Sequence, residues 1–98
     1  MIRLTDDYKD KVIDKMMSNL VPLRTMLHLT QEQIAQLIGV TRQTIVAFET
    51  GKRRMTWGTY LSFLFLFYSN SSTRSLLEIM EIYPKELNEF FSGLDSMR

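Results

Sequence analysis

The stretch TQEQIAQLIGVTRQTIVAFETGKRR, residues 30–54, decides the fold. Thr30 with Gln33 three residues later forms a capping box: the hydroxyl takes a backbone N–H of the first turn, and the glutamine returns to the cap's own N–H. The spacing predicts a helix from there with Ile34, Leu37 and Ile38 inward. Gly39 stops it, because the residue past a helix end usually needs a left-handed backbone that glycine adopts cheaply. Thr41 starts a second helix within two residues, with Ile45 and Phe48 facing in. Helices joined by so few residues must cross steeply. Ala35 allows the close approach, and Ile34, Ile38, Val40, Ile45 and Phe48 pin both helices to a core.

That geometry is helix-turn-helix, and it leaves the outer face of the second helix free to project. With Ile45 inward, a step of about 100° per residue puts Phe48 and Glu49 on the inner side. Gln43, Val46, Ala47 and Thr50 then face out, and Arg42 stands at the helix tip. Arginine suits the O6/N7 pair of guanine, glutamine the N6/N7 pair of adenine, and valine and alanine the thymine methyl group. These five residues are the expected base contacts. Gln31 opens the preceding helix, close to where a phosphate would lie. Lys52, Arg53 and Arg54 follow as further phosphate partners.

Working outward, helical periodicity runs through the rest of the chain. Thr5 caps a first helix over 5–18 with Tyr8, Val12 and Met16 on its apolar stripe. Its acids, Asp6, Asp7, Asp10 and Asp14, read as a solvated face with partners such as Asp7 and Lys11 at (i, i+4). A break is expected near Ser18–Asn19, with Asn19 capping a second helix that carries Pro22 in its first turn and Leu20, Leu23 and Leu27 inward. Thr56 caps a segment from Trp57 to Tyr68, and Trp57 packs under the basic loop. Asn70 to Thr73 reads as a loop, and two short helices, Arg74 to Tyr83 and Pro84 to Phe91, close the chain. The expected organisation is one helical domain over 1–98: an N-terminal helix at 5–18, a DNA-binding core at 19–68 and C-terminal helices within 71–92.

Composition bounds the function. The 98 residues are 45% hydrophobic and include no cysteine, which excludes a disulfide framework, a thiolate nucleophile and cysteine-based zinc sites. His28 is the single histidine and has no companion ligands in sequence, so a metal or catalytic role is not expected. There is no nucleophile–base pair and no phosphate loop, and the reading is a non-enzyme without a cofactor. The net charge is +1, but residues 20–60 carry +3 while residues 61–98 carry −2. The N-terminus holds charges where an export signal needs an apolar run, and the greasiest segment, Leu61 to Tyr68, is far short of the roughly 20 residues that span a bilayer. A soluble, cytoplasmic protein is expected.

The stretch from Leu23-Arg24 through Leu61 resembles the phage-repressor (Cro/repressor, XRE-type) helix-turn-helix family. Thr30-Gln31, Ala35, Gly39, Ile45, Phe48, Glu49, Gly51 and Lys52 fall where that family has them. The resemblance covers residues 19–68 and implies an all-α, lambda-repressor-like bundle, here with an added N-terminal helix and two short C-terminal helices. It also implies a sequence-specific regulator of double-stranded DNA in a bacterial or phage setting, nucleoid-associated when bound. Members are often dimeric, and the resemblance further implies an inward ion pair between Arg24 and Glu49. The segment MTWGTYLSFLFLFY is bulkier and more aromatic than the family's usual helix. Phe63 to Phe67 are apolar all round, so cover is expected on both sides, from the C-terminal helices or from a second subunit. The alternative function is a protein-interaction or antitoxin-like module that keeps the fold without the DNA contacts.

Overall fold

The computed structural model describes residues 4–82, which form six helices and no strand. They are α1 (Asp6–Ser18), α2 (Leu20–Met26), α3 (Gln31–Ile38), α4 (Arg42–Glu49), α5 (Trp57–Tyr68) and α6 (Ser71–Ile79). The expected final helix, Pro84 to Phe91, lies outside the described residues.

The caps set the element order. Thr5, Thr30, Thr41 and Thr56 each stand in extended backbone, and each hydroxyl accepts a first-turn N–H of the helix it precedes. The Thr30–Gln33 box closes in both directions. The chain breaks at Asn19 as expected, and Asn19 stands at the N-cap position of α2, but its side chain makes no capping bond there. Its side-chain amide donates back to the Lys15 carbonyl at 2.8 Å, so it finishes α1 instead.

One core gathers residues from every helix: Val12 and Met16, Leu20 and Leu23, Ile34 and Ala35, Ile45 and Phe48, Tyr60, Phe63 and Phe67, and Leu77. Aromatic rings fill its middle. Phe48 meets Phe63 edge-on at 6.2 Å, and Phe63 stacks with Phe67 at 6.0 Å. Such pairs add to their area burial through the ring quadrupoles. Trp57 is half-buried, stacks on Tyr60 at 4.8 Å and carries the Lys9 ammonium over its ring.

Two expectations change. The segment Asn70–Thr73 is not a loop: Asn70 caps α6 through Ser72 N–H, and Ser71 to Thr73 form its first turn. Thr73 is fully buried, with its hydroxyl donating to the Phe67 carbonyl, which ties α6 to the end of α5. Leu37 does not face inward. It is 61% exposed, because Ile34 and Ala35 take the core side of a short helix and Leu37 falls beyond its edge. On α5, Phe65 is 81% exposed and shares an apolar groove with Leu37, Ile38, Leu61 and Leu66; the cover expected from the final helix or a second subunit lies outside the described residues.

The end of α6 is locked by a buried hydrogen bond. The Tyr60 hydroxyl donates to the Ile82 carbonyl at 2.7 Å, and both residues are fully buried. Tyr60→Phe leaves that carbonyl without its donor, and a loss of about 1–2 kcal/mol is expected. Chemical denaturation reads it directly. An unchanged midpoint would mean that the bond contributes nothing net.

Candidate nucleic-acid interface

The corner between α3 and α4 is built on one glycine. Gly39 sits at φ +90°, and its N–H and that of Val40 both return to the Ala35 carbonyl, at 2.8 and 3.0 Å. A Cβ meets nothing within 4 Å there, so the requirement for glycine is conformational rather than steric. Val40, packed on the core, and Thr41, capping the next turn, complete the joint.

The joint aims the start of α4 outward. Arg42 and Gln43 are its first two residues and both are exposed. Val46 and Ala47 are half-buried, and Ile45 and Phe48 fix the opposite face in the core. Thr50 is exposed, with its hydroxyl turned back onto the Val46 carbonyl at 2.8 Å. Their spacing along α4 and its C-cap puts the five expected base contacts on one continuous helix edge.

After α4 the chain doubles back through Gly51, at φ +74°. The N–H groups of Lys52 and Arg53 both reach the Ala47 carbonyl, at 2.9 and 3.2 Å. The two cations are thereby held beside the last turn of α4, and both are exposed. Arg53 also donates to the Thr44 hydroxyl at 3.4 Å, which bends its side chain along α4.

Behind the edge lies the expected ion pair. Glu49 accepts from Arg24 through Nε at 2.7 Å and through the terminal nitrogen at 3.4 Å, and the two side chains are 5% and 16% exposed. The third donor to Glu49 is Gln31, whose amide reaches it at 2.9 Å. Gln31 is therefore part of the brace that joins α2, α3 and α4, while its backbone N–H remains at the start of α3. Arg24 also donates to the Leu29 carbonyl at 3.0 Å, fixing the turn between α2 and α3.

Arg54, grouped in sequence with Lys52 and Arg53, has a different place. Its guanidinium bonds to Asp14 and Asp10 of α1. Its hydrogen bond to the Asp14 carboxylate is the main reason its pKa lies above the ordinary arginine value; slight desolvation opposes that shift, and Asp10 adds to it. The acids at 10 and 14 are thus not merely a solvated helix face, which sequence alone did not reveal. Their spacing marks them as one turn of the same helix edge, but their partner is 40 residues from Asp14 and 44 from Asp10.

Residues 23–56 match the family model described as helix-turn-helix. The α3–Gly39–α4 geometry of that segment is helix-turn-helix. The family agrees with the resemblance drawn from residues 23–61, and the match spans the Thr30, Thr41 and Thr56 caps, the Gly39 corner and the basic loop. The chain is also similar to an uncharacterized HTH-type transcriptional regulator of Methanothermobacter thermautotrophicus (strain Delta H), with 59% identity over 29 residues. That alignment covers 30% of this chain and 42% of the relative, so the chain spans less than half the length of the protein it matches. No solved structure matches significantly. No helix among the described residues is long and apolar enough to cross a membrane.

Proposed function

We propose that the protein is a sequence-specific DNA-binding transcriptional regulator that lays α4 in the major groove. The observation that carries this reading is the outward edge of α4: Arg42 and Gln43 exposed at its tip, with Lys52 and Arg53 held beside its far end. Arg42, Gln43, Val46, Ala47 and Thr50 face the bases. The Gln31 backbone N–H, Lys52 and Arg53 meet phosphates. The Methanothermobacter relative, an HTH-type transcriptional regulator by name, supports the regulatory role. Selection of bound sites from a random DNA pool tests it: a defined motif is expected, and no enrichment above background would favour the protein-interaction alternative.

The phosphate contacts have their own signature. Lys52→Ala or Arg53→Ala should weaken binding to all sequences alike and flatten the log–log salt slope by about 0.9 for each phosphate lost. An unchanged slope would remove the loop from the interface.

The regulator acts as a homodimer in this reading, working in the cytoplasm on an inverted repeat. Support comes from Phe65 and Leu37, 81% and 61% exposed side by side in one apolar groove. Apolar surface of this kind is seldom left bare on a monomer. Paired recognition helices should then stand about 34–36 Å apart, one turn of the duplex. Phe65→Ser should reduce self-association in sedimentation runs and lower affinity for the full site more than for a half-site. A wild-type monomer that binds one copy per site would sink the dimer.

A further inference from the structure

Three cations follow α4 in sequence, and the fold separates them. Lys52 and Arg53 lie on the loop that returns over the end of α4. Arg54 is turned onto α1. Its Nη1 donates to the Asp14 carboxylate, and its Nη2 donates to the Asp10 carboxylate at 3.1 Å and to the Asp10 carbonyl at 3.0 Å. Since α1 also packs against α4, these carboxylates stand beside the basic loop rather than on a remote face. One guanidinium faces two carboxylates, and the group as a whole is negative.

We propose that α1 holds Arg54 off the DNA: Asp10 and Asp14 act as built-in competitors for a phosphate and limit the loop to two working cations. The inference rests on the DNA-binding reading above. A cation neutralised by carboxylates of its own protein releases no counterion from the duplex, so it adds nothing to the salt slope. To reach a phosphate, Arg54 has to give up two charge-assisted bonds and a carbonyl. It also leaves two bare carboxylates next to a polyanion. Because Asp10 and Asp14 touch no base, this attenuation acts on specific and random DNA alike. The third cation is kept in reserve, one residue from its working neighbours.

The test is a salt series of binding to one duplex selected by the wild-type protein. Arg54→Ala is expected to leave the slope where it is. Asp10→Asn with Asp14→Asn should tighten binding several-fold at low salt and steepen the slope by about 0.9, the contribution of one phosphate. Adding Arg54→Ala to that pair should restore the wild-type slope. Asp6→Asn with Asp7→Asn changes net charge equally on the same helix and should not move it. All three partners are well exposed, with side chains 46%, 62% and 65% accessible, so breaking the cluster costs little stability and thermal melts will show each variant folded. A flatter slope for Arg54→Ala alone overturns the proposal, since Arg54 would then already bind phosphate. So does an Asp10/Asp14 variant with an unmoved slope, or one whose steeper slope survives Arg54→Ala. Wild-type protein that selects and binds no duplex overturns the DNA-binding reading itself, whereas firm wild-type binding with an unmoved Asp10/Asp14 variant overturns the clamp alone.

Discussion

Glu49→Ala should lower stability by about 3 kcal/mol, towards the lower end of what breaking a buried ion pair costs. The carboxylate is 5% exposed and accepts from Arg24 and Gln31; its removal leaves a guanidinium and an amide without their shared acceptor. Arg24, at 16% exposure, keeps some access to water and its bond to the Leu29 carbonyl, which argues against a larger loss. For a domain of this size, a melting point lower by on the order of 10–20 °C follows. Glu49→Gln keeps an acceptor in place without the charge and should fall between the two. DNA affinity below the melting transition should change far less, because Glu49 braces α4 from behind. An unchanged melting point with lost DNA binding would reverse that assignment and put Glu49 in the interface.

Arg42→Ala and Gln43→Ala should each weaken binding to the selected site by about 1–3 kcal/mol, roughly the worth of one bidentate base contact. Each should also relax preference at a single base pair. The two residues stand at the exposed start of α4, one step past the Thr41 cap, and neither belongs to the buried set, so folding should be unaffected. Affinity against a panel of single-base variants of the site separates the outcomes. Equal loss on the selected site and on random DNA would show that these side chains hold phosphates and read no bases.

Local rules carried most of the fold. Threonine caps, a capping box and a left-handed glycine each act within a few residues, and Thr5, Thr30, Thr41, Thr56 and Gly39 all stand in the positions their chemistry implies. The readings that failed needed information from distant parts of the chain. Asn70-Ser-Ser-Thr73 has the composition of a loop, and it becomes a helix start because Thr73 finds the Phe67 carbonyl in the core. Leu37 satisfies a helical stripe in sequence, but the angle at which α3 docks leaves it outside. The same division runs through the candidate site. Arg42 and Gln43 followed from periodicity, and the Arg24–Glu49 pair from resemblance to a family. The Arg54–Asp10–Asp14 cluster joins the loop after α4 to α1, the Gln31 amide on Glu49 joins α3 to α4, and no spacing rule connects either set.

The most direct measurement is a titration of labelled protein with its selected duplex, following backbone amide shifts by NMR. The account predicts the largest changes at Arg42 to Ala47 and Thr50, with Gln31, Lys52 and Arg53 close behind, and little change along α6. Changes centred on the Leu37–Phe65 groove, with the start of α4 silent, would contradict it.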